Sequence, residues 1–487
     1  MKRAATTARR FVLFIHRWMG TAFSLVFFTW FVSGVVLMYC PFPSVTEGDR
    51  WVRAIPLGPE QIRITPGEAL QAISGARSPS EIRINVLDGR AVYRIDYGGK
   101  SRLVFADDGQ PLEGVTYAMA LRIGARWSRL PAERVEFERL LTEADQWTVS
   151  QGRDRFPAWK FGWPDGEEVY VAQSTGEVIQ YTTRYSRLGA YFGAIPHWFY
   201  FASLRRHAEG WSRTIISLAA LGLTTAVLGL AGGIWIYAIC RRVPYLGIKR
   251  WHVVLGLVFG TVTSTWVLSG LLSMGPFSWL RGHSSVDLDS ALRSKGVDVA
   301  RFAAKSPREA LAEAGRDLQV KELAFDTFDG EAVYLATESA RKSRIVPMNE
   351  DPVAGFDVAR IAAAVARAVA PARLLEARMV TRYEPYYVDR HNTLPLPVLC
   401  VRVDDTIQSQ AYIDFRTGRV IQSYGTAERV QRWLYHGLHS LDVPWLYAHR
   451  PLWDAIVVTL MLGGASLSVT SLALACRMVM RVLRACY

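Results

Sequence analysis

Two stretches decide how this chain folds: HRWMGTAFSLVFFTWFVSGVVLM at His16–Met38 and HVVLGLVFGTVTSTWVLSGLLSM at His252–Met274. Neither contains an acid, and each is apolar for long enough to cross a ~30 Å hydrocarbon core at ~1.5 Å per residue. They also agree with each other. His16, Gly20, Thr29, Trp30, Ser33, Gly34 and Met38 recur as His252, Gly256, Thr265, Trp266, Ser269, Gly270 and Met274, each 236 residues on. Seven identities on one register mark an internal repeat.

The repeat continues elsewhere. His197, His207 and Trp211 recur as His439, His449 and Trp453, each 242 residues on, and TGEVI (Thr175–Ile179) recurs as TGRVI (Thr417–Ile421) on the same offset. Each half therefore reads as span, outer domain, His-x9-His-x3-Trp, span. The fold expected is an integral membrane protein of four transmembrane helices in two tandem repeats, with two outer α+β segments. Because both halves enter the bilayer in the same sense, a pseudo-two-fold axis along the membrane normal follows.

The four apolar runs are Trp18–Tyr39, Thr214–Cys240, about Trp251–Leu280, and Ala455–Cys476. The first is too long for the core of a signal peptide, and no clear small-x-small site follows it, so it is expected to stay as a span. Charge orients the set. Of 487 residues, half are hydrophobic, the formal net charge is +13 and mean hydropathy is +0.10, a value for a chain part bilayer and part water-soluble. The excess charge is concentrated at Lys2, Arg3, Arg9, Arg10 and Arg17, at Arg241, Arg242, Lys249 and Arg250, and at Arg477, Arg481 and Arg484. These stretches flank apolar runs, which is the positive-inside pattern and not a nucleic-acid face. Both termini are thereby assigned to the cytoplasm. The expected division is 1–40 cytoplasmic tail and first span, 41–195 outer segment, 196–240 histidine-bearing interfacial segment and second span, and 241–250 cytoplasmic loop. It continues with 251–280 third span, 281–435 second outer segment, and 436–487 interfacial segment, fourth span and tail.

The outer segments read as α+β. Val92–Tyr97, Glu167–Gln173, Ala332–Thr337 and Gln410–Phe415 alternate like half-buried strands. Asp107–Gln110, Ser174–Glu177 and Arg416–Arg419 read as turns, and Pro66–Ile73 and Pro307–Ala314 as helix starts with proline in the first turn. The five cysteines form no CxxC pair, and the fold is read as independent of disulfides.

Six of the nine histidines fall into three offset-related pairs: His16/His252, His197/His439 and His207/His449. A symmetric bundle brings such positions face to face, and two facing imidazoles are what a six-coordinate haem needs, one axial nitrogen on each side of the iron. His16 and His252 lie at the cytoplasmic ends of the first and third spans. The other two pairs lie at the outer ends of the second and fourth, and His197/His439 is preferred over His207/His449. The small residues Gly20, Gly34, Gly256 and Gly270 let a flat ring approach the backbone. Trp30/Trp266 and Thr29/Thr265 are read as helix packing, Trp211 and Trp453 as an interfacial aromatic belt, and His391 and His283 as polar residues without partners. No catalytic acid or base, Walker loop, GxGxxG or HExxH emerges.

Ile15–Met38 resembles the first helix of the PepSY-associated transmembrane family. Thr65–Ile73 (TPGEALQAI) is similar to the start of a PepSY domain, and Gly437–Ser440 (GLHS) resembles the family's Leu-His element. The resemblance implies a bacterial inner-membrane protein linked to iron uptake, with two haems b, two periplasmic PepSY-like segments and a ferric siderophore or other iron chelate as substrate. Electrons would come from a quinol or a cytosolic reductase. The family's histidines fall on His16, His252 and His439. The counterpart of Leu438-His439 is Pro196-His197, a departure from the motif. The competing expectations are a PepSY membrane protein that binds an envelope or peptidase partner without haem, and a transporter; four helices and no charge at mid-membrane weigh against the latter.

Overall fold

The computed structural model describes residues 2–73, 78–277, 287–293, 296–389 and 393–485. His283 and His391 lie outside them. The order begins with α1 (Lys2–Tyr39), α2 (Glu47–Arg53), α3 (Pro66–Ala72), β1 (Glu81–Leu87), β2 (Arg90–Tyr97), β3 (Lys100–Phe105) and β4 (Pro111–Leu112). It continues with α4 (Tyr117–Ala125), β5 (Phe137–Leu141), β6 (Ala158–Gly162), β7 (Glu168–Ala172) and β8 (Val178–Thr182). Three short helices, α5 (Arg184–Phe192), α6 (Ala194–Trp198) and α7 (Ala202–Arg205), lead into α8 (Ala208–Cys240) and α9 (Gly247–Ser273). Then come α10 (Leu288–Leu292), α11 (Pro307–Ala314), β9 (Glu322–Phe328), β10 (Glu331–Ser339), β11 (Lys342–Pro347) and α12 (Val358–Ala368). β12 (Leu374–Val380), β13 (Val398–Val403), β14 (Gln410–Asp414) and β15 (Arg419–Tyr424) follow. Last are α13 (Thr426–Arg432), a π-helical turn at Trp433–Gly437, α14 (Pro444–Ala448) and α15 (Leu452–Ala485).

Two compact units result, each drawn from both halves of the chain. One is helical (Met1–Phe42, Tyr185–Gly282 and Ala427–Tyr487); the other is sheet-rich (Pro43–Arg184 and His283–Thr426).

In the helical unit α1, α8, α9 and α15 are each long and apolar enough to cross a membrane. Helix α1 packs against α8 and α15, and α9 packs against the same two, so α1 and α9 stand across the middle from one another. Three helices outrun their apolar stretches, because flanking polar residues continue the same backbone hydrogen bonds. The third is shorter than expected: α9 stops at Ser273 rather than near Leu280, which itself lies outside the described residues. Gly275 takes a left-handed φ of 57° and Pro276 has no N–H to give, which ends a helix. On α15, Gly463 and Gly464 receive the rings of Phe259 and Phe31; a Cβ at either would collide with them.

The sheet-rich unit is built on seven antiparallel strands in the order β11-β10-β9-β1-β2-β3-β4. The two halves meet in its centre, where β1 pairs with β9 from Ile82↔Phe325 to Asn85↔Glu322. One face, including Ile82, Ile84, Tyr93, Phe325 and Tyr334, packs under α3 and α11. Both helices start at a proline after a capping box, Thr65 with Glu68 and Ser306 with Glu309. The other face is covered by two four-stranded sheets. β5-β6-β7-β8 packs through Phe161, Val169 and Val171 onto Val92 and Leu103, and β12-β13-β14-β15 packs through Leu399, Val401 and Ile413 onto Val333 and Leu335. Arg94 is buried there, donating to Asn85 Oδ1 and to the Thr175 carbonyl, both at 2.9 Å. The four described cysteines, Cys40, Cys240, Cys400 and Cys476, are free thiols.

Candidate functional site

Two of the three histidine pairs come together, both within the helical unit. The ring centres of His16 and His252 are 6.2 Å apart with planes 29° from parallel. Those of His197 and His439 are 6.3 Å apart at 69°. Helices α1 and α9 carry the first pair on diagonal walls of the bundle. The second pair sits off the long helices, His197 on α6 and His439 just past the π-helical turn.

What holds each ring settles its tautomer. His16 Nδ1 lies 3.0 Å from the Thr225 carbonyl, and His197 Nδ1 lies 3.1 Å from the Trp30 carbonyl. His439 Nδ1 faces the Trp266 carbonyl at 3.3 Å and Ser269 Oγ at 3.0 Å. A carbonyl oxygen only accepts, so Nδ1 carries the hydrogen in all three and Nε2 keeps its lone pair. His252 reaches the same state through a hydroxyl. Thr470 Oγ1 gives its own hydrogen to the Leu467 carbonyl at 2.7 Å and accepts from His252 Nδ1 at 3.1 Å. Among the described residues no hydrogen bond occupies Nε2 of any of the four.

The holders obey the sequence offsets. Trp30 and Ser33 at His197 correspond to Trp266 and Ser269 at His439, 236 residues on. Thr225, whose carbonyl meets His16, corresponds to Leu467, which anchors Thr470, 242 residues on. Trp211 Nε1 donates to the carbonyl of Trp198 at 2.8 Å, and Trp453 Nε1 to that of Ser440 at 3.0 Å; each acceptor directly follows an outer histidine. These indoles were expected only as an interfacial belt. Phe199 and Leu441, each two residues past its histidine, both take left-handed backbone, φ 52° and 48°. Non-glycine residues adopt that region only where surroundings enforce it.

Burial pushes His197 down to about 4, with the neighbouring His439 adding to it, so its imidazole is neutral. Burial pushes His439 down to about 4 as well, against the opposing hydrogen bond that it gives to the Trp266 carbonyl.

Between His16 and His252 lies a cavity of about 420 Å³, in the usual range for cofactor sites. Its walls include Gly20, Gly229, Gly233 and Gly256, with Phe27, Phe31 and Leu230. Gly229 on α8 is the tightest point, since a Cβ there would strike the His16 ring. At the outer pair, a Cβ on Gly34 would stand 3.3 Å from His197 Cε1, and one on Gly270 would stand 3.7 Å from His439 Cε1.

The spacing fits one metal between two imidazoles. A metal–imidazole nitrogen bond is about 2 Å, and that nitrogen lies about 1.1 Å from the centre of a ring with ~1.33 Å bonds, so two axial rings have centres about 6 Å apart. Both pairs meet this. Among the described residues no group of three or more His, Cys, Asp and Glu gathers. Each pair thus offers two imidazole nitrogens without further ligands among the described residues, and the His16/His252 pair has a cavity beside it.

The third pair behaves differently. His207 and His449 are exposed, and no ring contact joins them among the described residues. His207 caps α8, and His449 Nδ1 contacts the Trp445 carbonyl at 2.7 Å. Thr225, Thr470, Gly229 and the acceptors of the two indoles were not singled out from sequence. Ser33/Ser269 and Trp30/Trp266 were visible as identities, and the offset was the signal that could have marked them. No protein-family model matches this chain, and no curated protein matches it.

Proposed function

We propose that this protein is a di-haem b electron carrier of the bacterial inner membrane, with one ring between His16 and His252 and one between His197 and His439. The observation that carries the reading is the facing of two imidazole pairs, 6.2 and 6.3 Å between ring centres, with every Nδ1 held by the protein. The chain is read as two tandem copies of span, PepSY-like outer segment and span, with both termini in the cytoplasm. The resemblance to PepSY-associated membrane proteins supplies the substrate, a ferric siderophore or similar chelate in the periplasm; the electron donor, a quinol or a cytosolic reductase, comes from outside the chain.

When bound, each ring supplies one-electron redox chemistry at its iron. The chain's own part is placement. Carbonyls at Thr225, Trp30 and Trp266 and the Thr470 hydroxyl fix the imidazole planes and keep Nε2 unprotonated, and such holders also raise ligand basicity. Glycines at 34, 229 and 270 leave room beside the His197, His16 and His439 imidazoles, where a Cβ would meet the ring. The two pairs lie at different levels: along α1, His16 and the Trp30–Ser33 turn are about 20–25 Å apart at ~1.5 Å per residue. Overall, one electron leaves the donor and one Fe(III) in the chelate becomes Fe(II), whose hold on hard oxygen ligands is weaker. No proton transfer is required of any side chain.

The test is optical. Purified protein should show a Soret band that shifts on dithionite and returns when a ferric chelate is added under an Fe(II) trap. A colourless preparation from cells supplied with haem precursor would contradict the reading.

A further inference from the structure

Four cations, from α1, α9 and α15, line the cavity between His16 and His252. Arg17, Lys249, Arg477 and Arg481 all line it, and no Asp or Glu does. No carboxylate among the described residues pairs with any of the four; Arg17 makes a cation–π contact with Trp18 at 5.8 Å.

A general preference for cations on the cytoplasmic side does not account for their distribution. Under the repeat offsets, Arg17 corresponds to Val253 and Lys249 to Leu13. Arg477 and Arg481 of α15 correspond to Trp235 and Ile239 of α8. Every counterpart is apolar. A symmetric pattern would serve topology equally well, yet around a cavity whose ligating histidines are symmetric α15 lends two cations and its repeat counterpart α8 none. A haem has the same asymmetry: a flat apolar ring with two carboxylates on one edge.

We propose that Arg17, Lys249, Arg477 and Arg481 bind the two propionate carboxylates of the ring held by His16 and His252, and so fix which way round it sits. This rests on the haem reading above. Helix α15 gives two guanidiniums, suited to carboxylates by their planar fork. Helix α8 opposite gives Gly229, Gly233 and Ile236 to the apolar edge.

The test compares iron protoporphyrin with its dimethyl ester, which keeps the ring and removes both charges. Each is titrated by Soret absorbance into full-length apoprotein in neutral-lipid nanodiscs, in a His439→Ala background that leaves one centre. The acid form should bind about tenfold or more tighter than the ester. In Arg477→Gln/Arg481→Gln that preference should fall towards onefold; the single variants keep the comparison open if the double variant does not fold. An equal preference with and without the arginines overturns the proposal, as does no preference in the parent. Adding anionic lipid separates headgroup phosphates from propionates as what the cations hold. Unchanged discrimination supports the proposal, and its loss overturns it. If neither porphyrin binds the parent, the haem reading itself fails and takes the inference with it; if both bind equally, only the inference fails.

Discussion

At the scale of the residue, one hydrogen atom decides what these histidines can do. With Nδ1–H tied to a carbonyl or a hydroxyl, Nε2 is a free donor on a ring that cannot swing. Replacing His16 or His252 by Ala should remove about half of the bound haem and spare the outer centre; pyridine haemochromogen assay of the purified variants checks this, and full retention would count against the pair. Gly229→Ala places a methyl against the His16 ring, closest to Cε1 and 3.1 Å from Nε2. Overpacking of this kind costs about 1–3 kcal/mol, so occupancy of the inner centre should fall about tenfold or more while the protein still folds. Haem titration beside thermal unfolding of the apoprotein separates the two effects.

At the scale of the element, the outer histidines depend on short pieces pinned from the side. The indoles of Trp211 and Trp453 each hold the carbonyl just after a histidine. Trp211→Phe and Trp453→Phe keep an aromatic ring and delete the donor, at about 1 kcal/mol or fivefold in outer-centre affinity, with the inner centre unchanged. A merely packing role would leave both centres alike. In the sheet-rich unit the sensitive element is the β1–β9 seam and the charges beneath it. Burial alone would push the Glu177 carboxyl up, but Arg94, Arg83 and Arg155 outweigh burial and hold it below the ordinary glutamate value. A carboxyl lowered in the folded state stabilises above its unfolded pKa, and that contribution is lost as pH falls through the folded value. Acidification should therefore weaken amide protection in β1 and β9 more in the unaltered chain than in Glu177→Gln, which hydrogen exchange as a function of pH checks. Sequence marked Val92–Tyr97, Glu167–Gln173, Ala332–Thr337 and Gln410–Phe415 as strands, which overlap the observed Arg90–Tyr97, Glu168–Ala172, Glu331–Ser339 and Gln410–Asp414, because alternation at period two is local. It did not show that β1 and β9 join the two outer segments into one sheet. Pairing across more than two hundred residues leaves no mark in either strand alone.

At the scale of the whole molecule, the offsets of 236 and 242 make the histidine pairs legible in the sequence. What they could not carry is the backbone. Thr225 and Leu467 share a position but not a residue type, because the group that matters there is a carbonyl, which every residue has. Trp198 and Ser440 differ for the same reason. The His207/His449 pair shows the converse: copied side chains, both exposed and not joined by any described contact. Sequence preferred His197/His439 over His207/His449, and the fold adds the ring contact that separates the two. The central claim is that each chain holds two irons, each gripped by one offset-related histidine pair. Haem counted against polypeptide in the purified full-length protein, with low-spin character read by electron paramagnetic resonance, tests it most directly. The account predicts two low-spin haems per chain, falling to one in His252→Ala, to one in His439→Ala and to none when both are replaced. Two haems persisting in the double replacement, or none in the unaltered chain, would contradict it.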